Sequence, residues 1–578
     1  MMIMMNAQRR RTAKEGAAHL TDAEVIPNSP AHRIQKLKGH AQLTGMLAGV
    51  AKKARLAREK RAKLEVQAAV NYVIFLALFT FSVLSSTNAS DMFALSSKIT
   101  GLLQKPEIDE TRPGLDGCTN PDLVYDYLEN VLPLILYTNS FDGDSSFGKG
   151  LARAAGSHMG DLLGTNKVIG GIRLGQLRTD SVPCDLPDML RVAHAESPNC
   201  AVQWDASVES KVAFGSGATK YHYTPIDEEG EWHDTGAGSE FFTAPGFSVV
   251  LPNPARSPAA VAQGLNNTVK QLRGSKFIDL NTRALLLDFT AYNRNKDLMA
   301  LVRVVFKFPM LGGVDTDTDI MVLRAEQYRS SADYARFGVE VLLMVFILTE
   351  VWMCVRTARE VGTVKYLKST TNFPHLLNLS LFIIVWGVQA RAYMIRPTGA
   401  VAFVADGAGI GEDTYVDYRK YGRLMMLGQD MQSFNAFLSY LKVFHYLSFS
   451  PRFTQLTRTL TNAAGSLGGF FVVFMIVMFA ASLAHMLCFG AKLEAYQTIG
   501  GSMATLLSAM LGEFDFEAVR DAHWLLGPLF FVLYMLIGVF VMLNMFIAII
   551  SDAYIDTKAE LESKTDMESD LIGTFAKQ

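Results

Sequence analysis

The chain has 578 residues, of which 49% are hydrophobic and only 19% charged, with a mean hydropathy of +0.17. That balance excludes an ordinary soluble multidomain protein and points to a membrane protein. The net charge of −2 identifies no partner, because the charge is unevenly distributed along the chain.

Residues 1–65 are polar, with basic clusters at 9–11 (RRR) and 52–63 (KKARLAREKRAK). No cleavable signal pattern accompanies them. Basic residues just ahead of a first spanning segment place that end in the cytoplasm, and the second cluster could also hold anionic headgroups. Residues 66–86 supply the run of about 20 apolar residues that one crossing needs.

Residues 87–335 then form a hydrophilic stretch with strand-like runs at 283–292 and 298–308, which predicts a folded α+β domain on the far side. Sequons at Asn88 and Asn266 would be glycosylated there. Of the five cysteines, Cys184 and Cys200 could close a short loop in this domain, and Cys118 is left over.

Five further apolar runs follow, at 337–355, 376–392, 434–449, 467–489 and 525–550, making six crossings in all with the first. The even number returns the C-terminus to the cytoplasm, where 557–578 reads as an acidic extension of the last helix. The fourth crossing carries Lys442 and His445 three residues apart on one helical face. That is the spacing of a voltage-sensing helix, but with little gating charge, and Lys442 could instead pair with Glu340 or Glu350 of the second crossing.

Between the last two crossings lies the most informative stretch, 495–524. It is too polar to span a bilayer and too apolar for an ordinary loop. Gln497 to Met510 reads as a short helix, followed by Leu511, Gly512 and Glu513 and a second helical turn from Phe516. A re-entrant hairpin with a carboxylate at its tip belongs in an ion pathway, because charge at membrane depth costs about 3 kcal/mol or more unless it faces water or ions, and non-helical backbone there must line a cavity.

Several ordered strings then resemble the polycystin group of transient receptor potential channels. IGGIRLGQLR (169–178), TRALLLDFTAYNRN (282–295) and VRVVFKFPMLGGV (302–314) resemble the exterior polycystin domain. LKVFHYLSFSPRFTQLTRTL (441–460) resembles the fourth helix and linker, while MLGEFDF (510–516) and 526–554 resemble the filter and inner helix. The resemblance covers nearly all of the chain from Val66 onward.

It implies an α-helical membrane protein whose voltage-sensor-like four-helix bundle comprises the first crossing and a 336–450 segment. A 451–466 linker helix and a 467–556 pore unit follow, and the exterior domain sits between the first two crossings. It also implies a homotetramer, with hetero-oligomers of related subunits conceivable, that passes Ca²⁺, Na⁺ and K⁺. Leu511, Gly512 and Glu513 match the filter, with Glu513 as the metal-facing carboxylate; Glu replaces the commoner Asp. Asp515 matches the outer mouth, and Asn544, Ile547 and Ser551 the lower gate, Ser551 standing where the group has an amide side chain. Lys365, Lys368, Arg452 and Arg458 match an inner-face position where related channels bind phosphoinositide. Two departures weaken family-style voltage or calcium sensing: His445 for a second lysine and Asn378 for Asp. No covalent cofactor and no nucleic-acid partner are implied, and the plasma or ciliary membrane is favoured over an internal one.

Other chemistry is poorly supported. DTDTDIMVLRAE (315–326) has the carboxylate spacing of a calcium loop but Ile320 where the turn needs Gly. DGAGIGED (406–413) lacks the helix a phosphate loop must open. No nucleophile elbow, Walker sequence or His/Cys metal spacing suggests an enzyme. A transporter would show internal repeats and paired broken helices. A mucolipin-like endomembrane channel and a poorly conducting surface receptor are the nearer alternatives. The opening stimulus is not written in any motif.

Overall fold

The computed structural model describes Leu56, Lys60, Lys63 and residues 66–86, 88–104, 114–136, 161–163, 165–185, 187, 199–215, 219–225, 231–234, 239–243, 245–252, 258–324, 326–368, 372–396, 415–447 and 451–577. The cluster at 9–11, most of that at 52–63, and 406–413 lie outside the described residues. The chain forms two compact units, one of Ile74–Lys442 and one of Met1–Val73 with Val443–Gln578.

The first unit takes in helix α1 (residues 66–86) from Ile74 onward, and α1 leads into α2 (Ala89–Gln104). Leu95, Ile99 and Leu103 recur every four residues on α2, so they share one face and are buried in the domain core. Helix α3 (Pro121–Asp126) starts where sequence chemistry demands: Asn120 Oδ1 accepts from the Leu123 amide at 3.0 Å, with proline just inside the helix. The short α4 (Leu132–Leu136) and α5 (Pro258–Gly274) add to the same side.

Ten strands are described: β1 (Asp161–Leu162), β2 (Asn166–Arg178), β3 (Val182–Pro183), β4 (Asn199–Cys200), β5 (Glu231–Asp234), β6 (Ser239–Phe242), β7 (Phe247–Leu251), β8 (Thr282–Asn293), β9 (Leu298–Lys307) and β10 (Asp315–Arg324). The main sheet runs β1-β2-β8-β9-β10, with β7 also on β2, and its pairings are all antiparallel. The two strand-like runs expected from sequence are the central pair β8 and β9, buried along nearly their whole length. The acidic 315–324 run, which had suggested a calcium loop, is the end strand β10 paired along β9. No metal-holding cluster occurs among the described residues.

A row of alternating charge crosses this sheet. Arg173 of β2 is registered opposite Asp288 of β8, Asp288 opposite Arg303 of β9, and Arg303 opposite Asp319 of β10. Asp288 is fully buried. Its Oδ2 accepts from Arg173 Nε at 3.1 Å and its Oδ1 from Arg303 Nε at 2.6 Å. Burial alone would raise the Asp288 pKa, but Arg303 and Arg173 together hold its carboxyl well below the usual carboxylate range. The row ends on Arg419, which pairs with Asp319.

Cys184 and Cys200 form the expected disulfide, joining β3 to β4. The leftover Cys118 is a buried free thiol, and burial, with Asp126 adding, pushes it up to about 12, so it stays protonated.

The helical part of this unit contains α6 (Ser331–Val361), α7 (Thr363–Leu367), α8 (Phe373–Ile395) and, as far as Lys442, α9 (Arg419–Leu447). A capping box between Ser330 and Asp333 starts α6 at the end of the exterior domain. The fully buried Arg336 is paired with Asp333 and Glu340 and donates to the Ser85 carbonyl of α1. Phe79 of α1 meets Phe382 of α8 edge to face at 5.4 Å.

Met299, Leu301, Met321 and Leu323 of β9 and β10 pack with Ala392 of α8 and Tyr421 of α9. The approach is close enough that a Cβ on Gly422 would lie 2.7 Å from Leu301 Cδ1. The exterior sheet and the ends of α8 and α9 therefore share a core.

The second unit is built from α10 (Pro451–Phe489), α11 (Ile499–Met510), α12 (Phe516–Ala522), α13 (Leu526–Met535), a π-helical segment (Leu536–Leu543) and α14 (Asn544–Lys577). The linker and fifth crossing, separated in the sequence reading at 466/467, are one uninterrupted helix. Residues 557–577 of the acidic stretch continue the last helix.

Five helices among the described residues are long and apolar enough to cross a membrane: Val66–Gln104, Ser331–Val361, Phe373–Ile395, Gln455–Phe489 and Leu526–Ser563. The remaining crossing of the sequence reading, its fourth, falls on α9. Its 29 residues reach about 44 Å, enough to cross. It carries Asn435, Ser439 and Lys442, which lower its hydropathy. Two of these are bonded inside the bundle: Asn378 Nδ2 of α8 donates to Asn435 Oδ1 at 2.6 Å and to Ser439 Oγ at 3.0 Å. The resemblance had marked Asn378 as a departure from Asp, and here it serves as a helix-to-helix bond.

Candidate functional site

The site is the turn between α11 and α12. Small residues let α11 pack tightly, and Thr498 begins it by accepting the Gly501 amide at 3.0 Å. Thr505 Oγ1 bonds back to the Gly501 carbonyl at 2.9 Å and Ser502 Oγ to that of Tyr496 at 3.2 Å, so the hydroxyls of an apolar helix are satisfied locally. Tyr534 of α13 donates to the Leu506 carbonyl at 2.6 Å. His485 of α10 is buried among the rings of Phe489, Tyr496, Phe530 and Tyr534, with its Nδ1 2.8 Å from the Ala481 carbonyl. These contacts brace α11 from behind.

After Met510 the chain turns sharply. The Leu511 amide reaches Ser508 O at 3.0 Å, Gly512 N reaches Ala509 O at 3.1 Å, and Glu513 N reaches Ser508 O at 3.0 Å. Gly512 adopts φ +101°, a conformation that side chains other than glycine rarely take. No atom lies within 4 Å of where its Cβ would be, so glycine is needed for conformation and not for space. Among the described residues nothing hydrogen-bonds the carbonyls of Leu511 and Gly512 or the Glu513 carboxylate. All three residues are exposed, Leu511 at 88%. The turn thus presents two free carbonyl dipoles and one carboxylate, a hard-oxygen donor set suited to cations.

Asp515, expected at the outer mouth, caps α12: its Oδ1 accepts the Ala518 amide at 2.9 Å. A Cβ on Gly527 would lie 2.3 Å from the Val519 carbonyl, so this glycine lets α12 fold back tightly against α13.

Asn544, Ile547 and Ser551 all lie exposed on α14, within about 60° of one another around the helix. Asn544 Nδ2 donates to the Phe540 carbonyl of its own helix at 2.7 Å. The sequence reading missed the π segment at Leu536–Leu543. Its extra residue rotates everything below by roughly 100° relative to a continuous α-helix. Phe540 lies in that segment, so Asn544 satisfies a carbonyl at its exit. Below it, Asn462 of α10 donates to the buried Thr557 Oγ1 of α14 at 3.1 Å, joining the linker portion to the inner helix.

In the bundle, Lys442 interacts electrostatically with Glu350, one of the two partners weighed from sequence. The other, Glu340, is engaged by Arg336 and Tyr328. Lys365, Lys368 and Arg458 are exposed. The side chains of His445 and Arg452 lie outside the described residues. Asn88 is exposed and donates to Asp91, and Asn266 is half-buried on α5.

Two family models match the chain: "Polycystin domain" over residues 114–324 and "Polycystin cation channel" over 327–557. Polycystin-2-like protein 1 of Homo sapiens is 27% identical over 88% of this chain and 60% of the relative. Polycystin-2 of Caenorhabditis elegans is 26% identical over 86% of this chain and 66% of the relative, and Polycystin-2 of Danio rerio 29% identical over 70% and 44%. The chain therefore spans less than two thirds of the length of these relatives.

Proposed function

Because the chain belongs to the polycystin family of cation channels, we propose that it is the subunit of a homotetrameric, non-selective, Ca²⁺-permeable cation channel in the plasma or ciliary membrane. The single observation that carries this reading is the Leu511–Gly512–Glu513 turn. It leaves two carbonyls and a carboxylate exposed at the end of a braced helix, with the left-handed Gly512 between them. Four such turns around an axis would form a ring of oxygen ligands and negative charge that attracts Ca²⁺ as well as Na⁺ and K⁺.

The lower gate is a ring of Ile547 side chains that closes by dewetting, with Ser551 one turn below and Asn544 one turn above. Asp515 tunes the outer mouth through the position of α12. Lys442 and His445 give at most a weak voltage response, since Lys442 already faces Glu350. Lys365, Lys368, Arg452 and Arg458 attract phosphoinositide headgroups at the inner face, and glycans on Asn88 and Asn266 decorate the outer one. Both termini are cytoplasmic.

The test is reconstitution. Purified protein is counted by stepwise photobleaching and recorded in planar bilayers containing anionic phosphoinositide. Four bleaching steps and unitary cation currents support the reading; silent protein across a range of temperature and voltage contradicts it.

A further inference from the structure

A second cluster of reactive side chains lies where α6, α7 and α8 meet. Cys354 of α6 has its Sγ 3.3 Å from Nε2 of His375 on α8. The same nitrogen lies 3.5 Å from Oε2 of Glu350, one turn before Cys354 on α6. Tyr366, on α7, interacts electrostatically with Cys354 and with Glu350. Lys442 of α9 interacts electrostatically with both Glu350 and Cys354. Four helices thus contribute a thiol, an imidazole, a carboxylate, a phenol and an ammonium to one spot.

Packing alone does not call for this set. Cys354 is half-buried and sits seven residues before the end of α6, about 10 Å along the axis from that end. The end in question is the one away from the exterior domain, so the thiol lies near the opposite membrane face, at a depth that small polar molecules reach. The imidazole can accept the thiol proton, and the carboxylate beside the same ring nitrogen favours the resulting imidazolium. Burial, and then Cys354 itself, push the Tyr366 hydroxyl up to about 12, so it stays protonated.

We infer that Cys354 is a peroxide-reactive thiol, converted to a sulfenic acid with His375 as the proton carrier. The thiol proton passes to His375 Nε2 and the thiolate attacks one peroxide oxygen. An S–O bond forms as the O–O bond breaks, and the departing hydroxide takes the proton back from the imidazolium to leave as water. Sulfur gives up two electrons and the peroxide gains them. The product carries a polar S–OH group beside Lys442 in place of S–H, which alters the contacts offered to α9.

The test needs no channel activity, so its outcome is independent of whether the protein conducts. Purified full-length protein is exposed to hydrogen peroxide in the presence of dimedone, and adducts at the free thiols Cys118, Cys354 and Cys488 are followed by peptide mass spectrometry. Cys354 is expected to label at least about tenfold faster than Cys488, and His375→Phe to slow Cys354 by about tenfold while leaving Cys488 unchanged. Labelling of Cys354 no faster than Cys488, or a rate indifferent to His375→Phe, overturns the inference. Should His375→Phe not yield monodisperse protein, Glu350→Gln reads the same proton path: slower oxidation of Cys354 supports it, and an unchanged rate overturns it.

Discussion

The Tyr534 hydroxyl donates to the Leu506 carbonyl at 2.6 Å, tying α13 to the helix that ends at the Leu511–Gly512–Glu513 turn. Both groups are buried, so removing the donor deletes a bond beside the apolar ring cluster around His485. Tyr534→Phe is expected to lower stability by about 0.5–1.5 kcal/mol, read as a fall in the melting temperature of the purified oligomer. It should also shorten single-channel openings, because the last turn of α11 loses its brace. A variant that melts and gates like the parent would show that the bond does not hold the turn.

Gly512 is under a different constraint. Its surroundings have room for a methyl group, but its φ of +101° does not suit an L side chain. Gly512→Ala is expected to cost about 1–3 kcal/mol of local strain, relieved by re-aiming the Leu511 and Gly512 carbonyls. Unitary conductance should fall severalfold while the amount of protein at the membrane stays the same, a pair of quantities that patch recording and surface labelling separate.

The charged row of the exterior sheet predicts a stability effect with a defined pH dependence. Asp288→Asn leaves Arg173 and Arg303 buried without their anion, and breaking such a pair costs about 3–5 kcal/mol. The folded-state pKa of Asp288 lies below its unfolded value of about 3.9. Its contribution is therefore complete above that value and is lost as pH falls through the folded-state pKa. Thermal melts of the two proteins should differ most at neutral pH and converge as the pH drops below about 4.

Asn462 and Thr557 join the linker portion of α10 to the inner helix below Ile547. Thr557→Val keeps the shape and removes the acceptor, at a cost of about 0.5–1.5 kcal/mol. Open probability should shift while unitary conductance remains at the parent value, because the bond lies outside the ion path. A change in conductance with unchanged open probability would contradict this placement.

Much of the architecture was legible in the sequence because it is written in hydropathy and turn chemistry. The apolar runs, the buried pair β8 and β9, the short α11, its end at Leu511 and the restart at Phe516 all follow from local pattern. What escaped depends on partners distant in sequence or on subtle backbone changes. The π segment has no composition of its own; its cue is Asn544 bonding back to Phe540, which is visible only once the helix is built. The pairing of Arg173, Asp288 and Arg303 needs strand register, which single-strand patterns do not supply. Asp315 to Asp319 mimicked a calcium loop because alternating Asp and Thr also suit a half-exposed end strand. His485 carries no sequence signal of its place at the centre of a ring cluster, which forms only when α13 folds back against α10.

The central claim is that Glu513 faces the permeating ion. Single-channel recording of the parent chain and Glu513→Gln in planar bilayers, with Ca²⁺ and then Na⁺ as the only permeant cation, tests it most directly. Loss of the carboxylate is expected to depress Ca²⁺ current far more than Na⁺ current, because a divalent ion gains more from a ring of negative oxygen ligands. Identical currents from both proteins would place Glu513 outside the pore.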